Sequence, residues 1–258
     1  MHEGRTARIR TIAIANQKGG VGKTTLTILL AAAHADAGRR VLLVDLDPQA
    51  NATSATLDPA EGGSLADVLL DGRLRLADVV RPSVWGFDIA PSEVALAAKE
   101  QRRRLADEHD LDTAIGELAG YDLVLVDCPP SLGALTVNAL TAVDAVLIVA
   151  EAGGFAIDGV AQLLDTIGVV RRHYNLRLRV AGIGINLHDH TLETRRHLAT
   201  ARSTFGSALL EPLVPRRVVI REAIATRTRL TDLPTDRDGP SLASTIRDLA
   251  EEVARRVR

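Results

Sequence analysis

Eight consecutive residues, Lys18-Gly19-Gly20-Val21-Gly22-Lys23-Thr24-Thr25, constrain what this chain can fold into more than any other segment. They lie between an apolar run at residues 9–15 and a helical pattern at 23–37 that Gly38 ends. Glycine tolerates the left-handed backbone needed to curl a loop so that successive N–H groups face inward, and a helix starting there adds its dipole. That strand, loop and helix setting is what a phosphate-binding loop requires. In it Lys23 reaches the β- and γ-phosphates of a nucleotide, the Thr24 hydroxyl ligates Mg2+, and Thr25 reaches the α-phosphate.

The rest of the pattern extends this unit. Further runs rich in Val, Ile and Leu at 41–45, 121–127, 145–150 and 180–185 read as buried strands, and 135–142, 157–173, 192–204 and 241–257 read as helices. Continuous apolar strands alternating with helices predict an α/β fold: a mostly parallel, twisted sheet with helices on both faces. Ser64 to Asp67 has the form of a capping box opening a short helix. Residues 231–240 (TDLPTDRDGP) read as a loop by composition. Residues 1–8 form a polar tail without the apolar stretch of a signal peptide, and 9–258 read as one domain.

Two aspartate-ended strands complete the chemistry. In VLLVDLDPQ, Asp47 falls just past the strand end, facing the γ-phosphate, and joins Thr24 as a candidate for the Mg2+ site. In LVLVDCPP, Asp127 ends a Walker B strand and holds Mg2+ through water. Lysine is scarce: Lys18, Lys23 and Lys99 stand against 28 arginines, and two of the three lie in the phosphate loop. These two sites call for a compact ammonium on a flexible stem and not a planar fork. The single cysteine, Cys128, excludes an internal disulfide and any cysteine-rich cluster within one chain. Aromatics at 2% argue against the stacking platforms of single-strand nucleic-acid binders.

With its extra lysine at position 18, the loop is of the deviant Walker A type. Together with DLDPQANATS, YDLVLVDCPPSLGALTVNAL and the stretch at 159–164, it resembles the ParA/Soj partition ATPases, tightest in the first 150 residues. The resemblance implies ATP and Mg2+ as cofactors, and an ATP-driven homodimer in which Lys18 reaches the nucleotide of the other subunit. It implies that Asp47 orients the attacking water, and that the dimer binds double-stranded DNA without sequence preference. A ParB-type activator then stimulates hydrolysis and release. Asn186, Pro215 and Arg216 match positions that read adenine in relatives. A second cation near the transferred phosphoryl group would stabilise charge much as an arginine finger does.

The second half departs from the family pattern, with His188-Asp189-His190-Thr191 after the last strand and Arg227 and Arg229 where glycine and proline are usual. Between residues 171 and 229 there are 12 arginines and four acids, although the net charge of the chain is −2. An asymmetry of this size points to an anionic partner. By charge and helical position, Arg195, Arg196, Arg202, Arg217, Arg227, Arg229 and Arg247 are the candidates to face DNA. The expected place of action is the cytoplasm, on the nucleoid. A MinD-like membrane-associated ATPase is the alternative, or one positioning another cargo. The C-terminal segment SLASTIRDLAEEVARRVR lacks the bulky apolar face of a membrane-binding helix and reads as packing on the core, so no stable membrane association is expected.

Overall fold

The computed structural model describes residues 8–58, 62–101, 107–152, 156–186, 189, 191–233 and 238–257. Residues 1–7 of the expected tail, His188, His190 and the middle of the expected loop at 231–240 lie outside the described residues. Among these residues seven strands, β1 (Arg10–Ala15), β2 (Val41–Asp45), β3 (Arg81–Pro82), β4 (Asp88–Ala90), β5 (Leu123–Asp127), β6 (Ala145–Glu151) and β7 (Arg179–Asn186), form one sheet in the order β3-β4-β2-β5-β1-β6-β7. All neighbours are parallel except β3 with β4. The β1, β2, β5 and β6 strands are almost wholly buried, as parallel strands covered on both faces must be.

Alternate residues of each strand feed two cores. Ala13, Val44, Val126 and Ile148 pack under α3 (Leu65–Leu69), α4 (Leu76–Val79), α5 (Asp110–Gly116), α6 (Ala134–Ala142) and α7 (Ala156–His173). Ile14, Leu43, Leu125 and Leu147 pack under α1 (Lys23–Asp36), α2 (Asn51–Thr56), α9 (Val218–Thr226) and α10 (Gly239–Arg256). The remaining helix, α8 (Leu192–Phe205), follows β7 and is N-capped by Thr191, whose hydroxyl accepts from the Thr194 N–H at 3.2 Å. In α10, Leu242, Ile246, Leu249 and Val253 are buried in the same core as α1, so the apolar stripe of the last helix is spent inside the protein. No helix among the described residues is long and apolar enough to cross a membrane.

Two local expectations are corrected. The sequence between 231 and 240 is loop-like in composition, yet α10 already starts at Gly239 with Pro240 in its first turn. A helix tolerates proline there because the missing N–H would have no intrahelical partner. Strand β5 starts at Leu123 and not Tyr121, because the Asp122 carboxylate turns aside to accept the Arg40 N–H at 2.8 Å.

The third lysine, Lys99, is 1% exposed; its ammonium donates to the Leu69 carbonyl at 3.4 Å and to Asp107 at 3.0 Å, and also meets Asp110. Lys99 thus serves as a compact, multi-directional donor inside the core, a role outside the phosphate loop.

His34, on the buried side of α1, is 3% exposed. Burial, with the Arg39 guanidinium second, lowers its pKa from 6.5 to about 4. The unfolded chain takes up this proton first, so the stability concerned is complete above pH 6.5 and is lost as the pH falls toward 4. A His34→Gln protein should lose roughly 3 kcal/mol less than the wild type between neutral pH and pH about 4, read from urea midpoints. Equal losses in the two proteins would contradict a buried neutral imidazole.

Candidate active site

The phosphate loop hangs from the carboxyl end of β1. Asn16 is buried and moors it twice: its Nδ2 donates to the Val149 carbonyl of β6 at 2.6 Å, and its Oδ1 accepts the Lys18 N–H at 2.9 Å. Gly20 and Gly22 take φ of 78° and 82°, a conformation that strains any side chain. Gly22 is the N-cap of α1 and no side chain caps that helix, which leaves its first N–H groups to meet an anion. Lys23 is buried and curls back so that Nζ donates to the Lys18 carbonyl at 3.2 Å. Burial lowers its pKa, opposed chiefly by the neighbouring Asp127 carboxyl. From the far side, Asn186 Nδ2 donates to the Val21 and Gly22 carbonyls at 3.1 and 3.2 Å. Its amide thus supports the loop from beneath, at the end of β7.

Three carboxylates gather below. Asp45 and Asp127 end neighbouring strands in direct register, and both are fully buried. Burial pushes both carboxyls up; for Asp127 the Asp45 charge adds to the rise, while Thr24, Thr27 and Lys23 oppose it. The Thr27 hydroxyl lies between the Lys23 carbonyl at 2.9 Å and Asp127 Oδ1 at 3.1 Å. Asp127 Oδ2 is buried with no hydrogen-bond partner among the described residues. A partnerless carboxylate oxygen beside the Thr24 side chain is the donor chemistry of a magnesium site, where a cation would reverse the cost of burying the charge. Asp47 lies past the end of β2, is 6% exposed and bends into a turn, its Oδ1 accepting the Gln49 N–H at 3.0 Å.

The rim is formed differently. The Lys18 side chain is 46% exposed, with Nζ 3.8 Å from Glu151 Oε2. The other oxygen of Glu151 accepts from Arg216 Nη2 at 2.8 Å. Pro215 follows Val214, whose N–H bonds the Ile185 carbonyl at 3.0 Å, so Pro215 and Arg216 run beside the end of β7. Gln17, Lys18, Pro130, Ser131, Leu132, Gly159 and Gln162 line an open cleft of about 460 Å³ on this rim.

The seven candidate DNA-facing arginines divide. Arg202 pairs with Glu211 at 2.8 Å and Arg217 with Asp238 at 3.5 Å. Arg229 bridges Asp36 at 3.0 Å and Asp232 at 3.1 Å. Arg227, in a left-handed conformation after α9, donates to the Ser54 carbonyl at 3.1 Å and pairs with Asp58. Arg195, Arg196 and Arg247 are exposed and form no ion pair among the described residues.

Asn16, Thr27 and Glu151 escaped sequence reasoning. Glu151 carried a usable signal, a charged residue directly after an apolar strand at the sheet edge where ligands of open α/β folds bind.

The AAA domain family matches residues 9–180. The chromosome-partitioning ATPase Soj of Thermus thermophilus is 43% identical over 98% of this chain and 98% of its own length. The chromosome partitioning protein ParA of Caulobacter vibrioides is 39% identical over 83% of this chain and 84% of its own. A crystal structure from Mycobacterium smegmatis, described as cobyrinic acid a,c-diamide synthase with bound ADP and magnesium, is 35% identical. It superposes with a TM-score of 0.81 over 96% of this chain and 95% of that one. With these likenesses over most of its length and the deviant phosphate loop in place, the chain belongs to the ParA/Soj family of ATPases.

Proposed function

We propose that two copies of this chain close on ATP and magnesium, that the resulting dimer holds double-stranded DNA without sequence preference, and that hydrolysis, stimulated by a ParB-type partner, releases it. The observation that carries this reading is the division of labour between two lysines. Lys23 is buried inside the loop, whereas Lys18 stands exposed at the rim, turned toward Glu151. A lysine placed there is available to a second subunit, and a cation supplied from outside ties turnover to dimerisation.

In this reading Lys23 and the loop amides, from Gly19 to Thr25, hold the phosphates. Thr24 holds magnesium directly and Asp127 does so through water, while Asp47 orients the attacking water. Pro215 and Arg216 border the adenine, while Asn186, its amide spent on the Val21 and Gly22 carbonyls, holds the loop from beneath. DNA falls to the arginines that form no ion pair among the described residues, Arg195, Arg196 and Arg247, with Arg202, Arg217, Arg227 and Arg229 engaged in ion pairs within the chain. The place of action is the nucleoid.

The deciding experiment compares DNA binding by the purified protein with ATP, with ADP and without nucleotide, across a salt series. ATP-specific binding with a steep salt dependence is expected. Replacing both Arg195 and Arg196 by Ala should flatten the slope of log K against log salt by roughly 2, about one phosphate contact per arginine. No DNA binding in any nucleotide state would refute the partition reading.

A further inference from the structure

The loop that carries Asp47 runs from the end of β2 to α2; Pro48 fixes one backbone angle directly after Asp47, but the segment that follows has little stiffness of its own. The α2 segment is NATSAT, six residues of mostly weak helix formers. Its first residue follows Ala50, which is held at φ 53°, a left-handed conformation alanine avoids. A helix this short does not stand alone, so its placement rests on outside contacts.

At its first turn Asp45 supplies them, while Arg227, Trp85 and Val84 hold the carbonyls further along. Asp45 Oδ1 accepts the Asp47 N–H at 3.3 Å, and its Oδ2 accepts both donors of Thr53, the N–H at 2.8 Å and the hydroxyl at 2.7 Å. The Thr53 hydroxyl in turn accepts the Ser92 N–H at 2.9 Å, just past β4. One side chain therefore joins the end of β2, the first turns of α2 and the neighbouring strand connection. Of the two buried strand-end carboxylates, Asp45 spends its oxygens on these donors, while Asp127 keeps one oxygen without a partner among the described residues.

We propose that Asp45 and Thr53 act as a positioning pair for Asp47, fixing the loop so that its carboxylate meets the attacking water. The inference rests on the role given to Asp47 above. Thr53 touches no nucleotide in this assignment; it acts through Asp45 and the loop. Misplacement of a reacting group by a fraction of an ångström lowers turnover while leaving binding intact.

The test compares Thr53→Val, which keeps shape but removes the hydroxyl, with Thr53→Ser, which keeps the hydroxyl. Thr53→Val should lower kcat by about 10-fold or more, with KM for ATP and fluorescent-nucleotide affinity within about twofold of wild type. Amide exchange across residues 45–50 should quicken while β1 and β5 stay protected. Thr53→Ser should stay within about threefold of wild-type kcat. Equal losses in the two variants, or a Thr53→Val protein with normal kcat, would overturn the pair. A rapidly hydrolysing Asp47→Ala protein would instead remove the parent assignment of Asp47.

Discussion

An Asp47→Ala protein is expected to bind ATP and magnesium with near-normal affinity and to hydrolyse it at least about 100-fold more slowly, the usual cost of losing a group that orients or deprotonates the nucleophile. The loop amides and Lys23, which hold the phosphates in the proposed site, are untouched by this change. ATP-dependent dimers and DNA complexes should therefore persist longer than in the wild type. The Asp47 carboxylate also accepts the Gln49 N–H, so the alanine protein loses a turn as well as a reacting group. Asp47→Asn separates the two, since its amide oxygen can still accept that bond. Both variants should be slow in phosphate release and both should retain fluorescent nucleotide. Wild-type turnover in either would take Asp47 out of the chemistry.

The second large effect belongs to Lys18. Its side chain is half exposed and its nearest carboxylate lies at 3.8 Å, so Lys18→Ala should leave stability within about 0.5 kcal/mol of wild type. Its nucleotide affinity should stay within an order of magnitude. Dimerisation with ATP should be lost, and with it DNA binding and the stimulated part of turnover, a fall of about 10³-fold if Lys18 does the work of an arginine finger. Lys18→Arg should fail too, because a planar guanidinium cannot replace a compact ammonium on a flexible stem. Light scattering with and without ATP reads the first loss, and phosphate release reads the second. Normal dimers and normal turnover in Lys18→Ala would refute the role.

Much of this architecture was legible in the chain. Buried parallel strands write continuous apolar runs, and glycines at 19, 20 and 22 announce a loop whose job is fixed by backbone geometry. Asp47 could be placed past its strand by counting from Val41. The parts that stayed hidden depend on partners distant in sequence. The β4 strand is three residues long and β3 contains Pro82, so neither writes a pattern. The α2 segment, of weak helix formers, is held by Asp45 on Thr53 and by Arg227, Trp85 and Val84 on its carbonyls, partners that lie apart from it in sequence. Arg227 and Arg229 read as a basic patch because the sequence places Asp58 and Asp36 far away, while the fold brings them alongside. Asn186 was matched to adenine by resemblance, and only the fold reveals that its amide lies under the phosphate loop.

Glu151 gives one oxygen to Lys18 and the other to Arg216, the second at the shorter distance. The carboxylate thus has a reserve counter-ion. When anything draws Lys18 outward, no orphaned negative charge is left behind, because Arg216 stays in place. Departure of the lysine then costs little more than a solvent-screened contact between half-exposed groups, on the scale of weak surface pairs. Glu151 therefore keeps a cation beside it whether or not Lys18 is in place.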